Sequence, residues 1–276
     1  MAQLAVPAVI TAATHLMRAA QWIAAANLLR AATPDDQADQ LALALALAEV
    51  AVDQDFAQQT DHATAELAAV ARLLETLPDA TTSWDLAMLH LRKDYSNALF
   101  HSTPATSGTP DPNAPRDPSE ARDQTTAAAL AKRAEQLRDE APDDARRGSA
   151  SFYAGVIADN LRDDPDAAFT HFTATLELGE RAADDLLASL ALRHLGDHSH
   201  TAGNLELARA QWERSTELRQ KVGHLLGALA QQTLLAVLLR DEGDAAGSRA
   251  LATEVNRWSN QVGLTFITKQ TADLMN

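Results

Sequence analysis

The sequence predicts an all-α protein, an α-solenoid of about six antiparallel helix hairpins. Three observations lead to this fold class: the composition, the spacing of helix signals along the chain, and a repeat in its C-terminal half. Of the 276 residues, 58 are Ala and 39 are Leu, whereas Phe, Trp and Tyr together number 12. Ala and Leu are strong helix formers, and the β-branched and aromatic residues that fill strands are scarce.

Capping residues mark the start of several predicted helices. Asp164 precedes Pro165 and Thr33 precedes Pro34, which places a capping oxygen before proline at the first helical position. Thr82 begins a capping box without proline. Between these signals apolar residues recur at helical spacing. Twelve helices, paired into six hairpins, are predicted near 3–18, 21–32, 37–55, 58–77, 83–100, 119–140, 143–162, 165–182, 185–201, 204–222, 225–241 and 244–262, with a short tail helix near 266–275.

We expect residues 1–276 to form a single domain. Residues 101–118 hold five of the ten prolines and have no apolar face, which predicts a disordered loop inserted in the third hairpin. Residues 264–276, with Phe266, Ile267 and Leu274, are predicted to cap the last hairpin. Docking of this tail on a second copy, which would give a homodimer, is the alternative.

The charge balance excludes some classes of partner. With 23 basic and 38 acidic residues the net charge is −15, so neither nucleic acid nor an anionic membrane surface is an expected partner. The absence of cysteine excludes disulfides and thiolate chemistry and fits a reducing compartment. The first Lys or Arg is Arg18, and no run of about 18 uninterrupted apolar residues occurs. We therefore expect a cytoplasmic protein.

The C-terminal half repeats itself with a period of 40 residues. Gly203 aligns with Gly243, and Phe172 aligns with Trp212. A period of this length, with two helices in each unit, is typical of solenoids whose hairpins bury their apolar faces against one another.

These residues resemble the tetratricopeptide repeat (TPR) family over residues 149–263. The unit that matches best contains Leu195, Gly196, Gly203, Ala208, Trp212 and Ser215. The 40-residue period is similar to that of the sensor arrays of large bacterial transcriptional activators and signalling ATPases. Neither a basic helix-turn-helix nor a G-x-x-x-x-G-K-[ST] loop accompanies the repeat. The resemblance implies a regulatory module or adaptor that recognises a protein or peptide, without a cofactor and without enzymatic activity.

In TPR proteins the first helix of each pair lines a concave groove. The resemblance assigns to this groove Tyr153, Asn160, Arg193, Asp197, His200, Thr233 and Arg240. The guanidinium groups of Arg193 and Arg240 would bind anionic groups of the partner. The alternative is that these residues form solvated faces of amphipathic helices.

A dense polar cluster, residues 193–200, suggests a different function. His194, Asp197 and His198 have a spacing at which two imidazoles and a carboxylate can bind zinc. The Glu of an H-E-x-x-H motif is missing, and no second cluster supplies a fourth ligand, so no metal is predicted. A small-molecule-binding or metal-binding protein, or an enzyme, that uses residues 194–200 is the second hypothesis.

Nucleophilic catalysis has no support in the sequence, which contains neither cysteine nor a G-x-S-x-G elbow. No catalytic residue is predicted. The four tryptophans are expected to anchor the core; they are Trp22, Trp84, Trp212 and Trp258.

Overall fold

The computed structural model describes residues 4–101 and 118–275. Over these ranges all regular structure is helical, as predicted. The helices are α1 (Val6–Arg18), α2 (Trp22–Ala31), α3 (Gln37–Gln58), α4 (Ala63–Thr76), α5 (Ala80–His101), α6 (Pro118–Asp139), α7 (Asp144–Arg162), α8 (Pro165–Arg181), α9 (Asp185–Thr201), α10 (Leu205–Lys221), α11 (Leu225–Asp241), α12 (Ala245–Gln261) and α13 (Thr265–Ala272). The predicted disordered loop, apart from its two end residues, lies outside the described ranges.

The helices stack as consecutive hairpins. Each helix packs on its neighbours in sequence, and the first helices of successive hairpins also touch: α1 packs on α3, α3 on α5, α5 on α7, and α7 on α9. This arrangement confirms the predicted α-solenoid, in which each hairpin is stabilised mainly by the next one along the chain. No helix in the described part of the chain combines the length and the apolarity needed to cross a bilayer.

Helix starts are set mainly by side chains that cap the first turn. The Asp164, Asp184, Asn204 and Asp244 side chains each accept a hydrogen bond from the backbone N–H three residues later. Two of the predicted caps are wrong, because a neighbouring aspartate takes the role. Asp79 replaces Thr82, whose own N–H donates to the Asp79 carboxylate at 2.6 Å, so α5 begins at Ala80. In the same way Asp36 rather than Thr33 caps α3.

Helix ends recur with a period of 20 residues in the C-terminal half. Helices α8 to α12 contain 17 residues each. After α9, the Gly203 N–H donates to His200 O and the Asn204 N–H to Ser199 O, which is the hydrogen-bond pattern of a Schellman motif. The residue in the position of Gly203 has a positive φ after each helix from α7 to α12: Asp163, Ala183, Gly203, Gly223, Gly243 and Gly263.

Ala183 occupies this position with a φ of 52°, although its Cβ disfavours the left-handed backbone conformation. We expect Ala183→Gly to raise the free energy of unfolding by about 1 kcal/mol, because the left-handed conformation costs an alanine about 1–2 kcal/mol. In a chain of this size the melting temperature should rise by about 2–4 °C. Gly203→Ala is the matched control: a Cβ at Gly203 meets no atom within 4 Å, so only backbone strain would change, and stability should fall. A neutral or destabilising Ala183→Gly would contradict the prediction.

The aromatic residues of the repeat fill the space between paired helices. Phe172 and Trp212 are fully buried, and they pack against Gly155 and Gly196, where an added Cβ would collide with the rings. Three of the four predicted tryptophan anchors, Trp22, Trp84 and Trp212, are confirmed as buried.

Trp258 is the exception, and its predicted core position is wrong because it remains 42% exposed. The buried face of α12 contains Ser248, Ala252, Val255 and Ser259. Trp258 lies one residue away from that face, so its indole remains on the outer surface of the helix.

The first and last hairpins share an apolar core. Val6, Val9 and Met17 of α1 belong to the same cluster of contacting side chains as Leu226 and Leu229 of α11. The two ends of the solenoid therefore meet. The tail helix α13 packs on α12 and α11.

Candidate functional site

Helices α5, α7 and α9, each the first helix of its hairpin, bring several of the sequence-predicted residues together. The Asn160 side-chain amide donates to the Tyr95 hydroxyl at 2.7 Å, and the rings of Tyr95 and Tyr153 meet edge to face with centroids 5.7 Å apart. Arg193 Nη1 donates to the Asp197 carboxylate at 3.1 Å. The Arg193 side chain is 29% exposed, so a bound molecule can still reach the guanidinium.

Helices α3 and α5 extend this polar surface with residues that the sequence analysis missed. Arg92 Nη1 lies 3.9 Å from Glu49 Oε1, and Arg92 Nη2 lies 4.0 Å from Asp53 Oδ1. Asp53 also accepts a hydrogen bond from the Trp22 indole N–H at 2.7 Å. The Arg92 guanidinium interacts with the Tyr153 side chain, which joins the α3 residues to α7.

We name this continuous surface the inner groove. It is formed by Glu49, Asp53, Arg92, Tyr153, Asn160, Arg193 and Asp197, and the buried Tyr95 supports it through its hydrogen bond with Asn160. Desolvation by the surrounding protein raises the pKa of Glu49, Asp53 and Asp197, although about a third to a half of each side chain remains exposed. Nearby guanidinium groups oppose these shifts, Arg92 acting on Glu49 and Arg193 on Asp197. The groove therefore presents carboxylates and guanidinium groups side by side.

The other three predicted groove residues have different positions. Thr233 is buried, and its hydroxyl donates to Leu229 O at 3.1 Å within its own helix. Arg240 pairs with the adjacent Asp241 at 2.8 Å, near the end of α11. His200 Nε2 lies 2.9 Å from Asp241 Oδ2, so this contact links α9 to α11.

His194 belongs to the core between α7, α8 and α9. Its ring stacks on Phe172 with centroids 4.5 Å apart and planes 16° apart, and the Phe152 ring meets it edge-on. His194 Nδ1 is 4.0 Å from Asp197 Oδ2, whereas His198 Nε2 lies 3.7 Å from Asp159. Within residues 4–101 and 118–275 no group of three or more His, Cys, Asp or Glu side chains has a metal-binding arrangement.

The buried His194 should make stability depend on pH. Burial lowers the pKa of His194 well below its ordinary value of 6.5. Below about pH 6.5 the unfolded chain takes up a proton at this residue and the folded chain does not, so acid favours unfolding. The stability should therefore fall by an amount on the order of 1 kcal/mol for each pH unit below 6.5, until the pH reaches the lowered pKa of the folded protein.

The variant His194→Phe keeps a ring against Phe172 and removes the titrating group. Urea unfolding at pH 7 and pH 5.5 should show a smaller loss of stability for this variant than for the original chain. Equal losses would mean that His194 is protonated in the folded protein. His198→Phe is the comparison, because it lies one turn further along the same helix.

Arg219 is a buried cation behind the inner groove. Its side chain is 3% exposed, and its Nη1 donates to Gly227 O at 2.8 Å. In the described part of the chain neither Nε nor Nη2 has a hydrogen-bond partner. Burial, reinforced by the charge of Arg193, lowers the pKa of Arg219 to about 9.

Arg18 of α1 lies where the two ends of the solenoid meet. Burial lowers the pKa of His224 to about 3, and the charges of Arg219 and Arg18 add to this shift. Arg18 also acts electrostatically on Glu49 of α3. The charged residues of α1, α3, α10 and the start of α11 thus influence one another around the inside of the protein.

No family model matches the chain, and no curated protein matches it. Among solved structures, the chain is similar to a Rap protein crystallised in complex with competence and sporulation factor. The TM-score is 0.58 at 10% sequence identity, and the alignment covers 96% of this chain and 68% of the Rap chain. This likeness extends over nearly all of the chain, and it supports a TPR-like helical repeat fold for the protein.

Proposed function

We propose that the protein is a regulatory module that binds a peptide, or an extended segment of a partner protein, in the inner groove. The observation that carries this proposal is the groove itself. Four consecutive first helices, α3, α5, α7 and α9, contribute charged, aromatic and amide side chains to one continuous surface.

The chemistry of the groove suits a peptide. Guanidinium groups such as those of Arg92 and Arg193 donate to carboxylates and to peptide carbonyls, whereas carboxylates such as Asp197 accept from N–H groups and cations. Tyr153 provides a flat apolar surface with a polar end, and the Asn160 amide can both donate and accept. An extended backbone offers donors and acceptors along its length, so a row of mixed polar groups can hold it.

The fold supports the same proposal. A structure of similar fold has been determined in complex with competence and sporulation factor. We further propose that the chain acts as a sensor array of the 40-residue-period type in the bacterial cytoplasm, without a cofactor, and that nucleic acid and membranes are not its partners.

A charge reversal in the groove should weaken peptide binding. A synthetic library of hexapeptides with free termini would be selected on the purified protein by affinity capture, and the affinity of each selected peptide measured by fluorescence anisotropy. Arg193→Glu should lower the affinity for the selected peptides at least about tenfold, because a charge-assisted hydrogen bond is replaced by repulsion.

Arg214→Glu is the matched control. Arg214 lies on α10, outside the groove, with 59% of its side chain exposed and with Glu217 as its ion-pair partner. Its reversal should leave peptide affinity unchanged. Selected peptides that bind Arg193→Glu as tightly as the original chain would contradict the proposal.

A further inference from the structure

An apolar cleft adjoins one end of the inner groove. It has a volume of about 480 Å³ and lies between α1, α3, the turn after α4 and the start of α5. Ile10, Leu41, Leu45 and Leu77 provide most of its apolar wall. This volume is within the range of roughly 300–1,000 Å³ that is usual for ligand sites. The wall of α3 in this cleft continues along the same helix face into the groove.

Glu49 stands where the cleft meets the groove. It lines the cleft, and its side chain is 46% exposed. Its nearest cation, Arg92, is 3.9 Å away, which is too far for a hydrogen bond. The second carboxylate at the cleft, Asp79, already accepts a hydrogen bond from the Thr82 N–H at the start of α5. Within the described part of the chain Glu49 is therefore a carboxylate with free hydrogen-bonding capacity beside an apolar cavity.

We propose that this cleft binds the amino terminus of a peptide whose first residue is aliphatic, with the α-ammonium group on Glu49 and the side chain in the cavity. The inference rests on the proposed function, because the rest of the peptide would then run along the inner groove. An amino terminus carries its ammonium group and its side chain on the same carbon atom. A ligand group of this kind therefore places a cation and an apolar group together at the junction of cleft and groove.

The proposal also sets the direction of the peptide. From Glu49 the groove leads past Arg92 and Tyr153 to Arg193. Acidic residues or a terminal carboxylate later in the peptide would reach Arg193. The site would thus recognise a free aliphatic amino terminus at one end and an anionic group at the other.

The test uses one synthetic hexapeptide, Leu-Leu-Ser-Gly-Ser-Glu, with a free or an acetylated amino terminus. Acetylation removes the positive charge and leaves the side chains unchanged. With the original chain, acetylation should weaken binding at least about tenfold, as expected when a charge-assisted hydrogen bond is lost. With Glu49→Gln, which keeps the shape of the side chain, the two peptides should bind equally and as weakly as the acetylated peptide binds the original chain.

Further variants complete the design. Ala42→Phe should fill the cleft and weaken the binding of both peptides. If Ala42→Phe lowers the melting temperature, Ala46→Leu replaces it, because it adds a smaller side chain to the same cleft. Glu75→Gln changes an exposed carboxylate of α4 outside the cleft and should leave the effect of acetylation intact.

Three outcomes would overturn the inference. If acetylation has no effect although Arg193→Glu weakens binding, the groove binds peptides and the cleft does not select an amino terminus. If leucinamide binds as tightly as the hexapeptide, the occupant is a small amine rather than a peptide. If neither the hexapeptide nor any member of the library binds, the proposed function fails together with this inference.

Discussion

Replacing Trp212 by alanine should lower the free energy of unfolding by about 3–5 kcal/mol, the usual cost of removing a large aromatic side chain from a core. The indole is 1% exposed and packs directly on Gly196. Its N–H donates to Arg193 O at 2.9 Å, so the truncation also removes a hydrogen bond between α10 and α9. Urea unfolding followed by circular dichroism would measure the loss.

Trp258→Ala is the matched control for this prediction. It removes the same side chain from an exposed position on α12, where the indole N–H donates to Glu254 across one helical turn. We expect a change of no more than about 1 kcal/mol, in the range of surface substitutions. Similar losses of unfolding free energy for the two variants would mean that the Trp212 side chain contributes little to the packing between α9 and α10.

Replacing Arg219 by methionine should raise the free energy of unfolding, by no more than the roughly 1–4 kcal/mol found when a whole buried ion pair is exchanged for apolar side chains of similar volume. The Arg219 guanidinium is kept out of water. Within the described part of the chain it donates one hydrogen bond, to Gly227 O. Its lowered pKa reflects the same desolvation. Methionine fills the space without a charge.

Arg214→Met on the same helix is the control, since Arg214 is exposed and should contribute little to stability. The same denaturant curves would compare both variants. A clear loss of stability for Arg219→Met would show that the guanidinium gains more from its surroundings than its hydrogen bonds indicate. A gain would show that the protein retains a buried cation behind its groove, although methionine at the same position would make it more stable.

The parts of this fold that depend on local signals could be predicted from the sequence. Helix starts follow from capping residues such as Asp164, and helix ends follow from glycines such as Gly203, because both act within a few residues. The alternation of Leu and Ala in residues 41–48 was compatible with a strand, yet the neighbouring helices and their packing make it part of α3. The 40-residue repeat then predicted how the hairpins stack.

The candidate site could be predicted only where the repeat set its register. Tyr153, Asn160, Arg193 and Asp197 lie within the repeat, on the adjacent helices α7 and α9, and all four belong to the groove that we propose as the binding site. Glu49 and Arg92 lie before it, where no repeat relates one helix to the next, and their proximity depends on the packing of α3 on α5. A polar residue at a helix face carries no local signal that shows which other helix it will meet.

Because the first and last hairpins share one apolar core, the ends of this solenoid should not fray. In an open array the terminal repeats have a neighbour on one side only, and they unfold most easily. Here α1 and α11 contribute side chains to one apolar cluster, so breaking either end removes support from the other. The amide hydrogens of α1 should then exchange with solvent as slowly as those of α9, through a single cooperative unfolding of the protein.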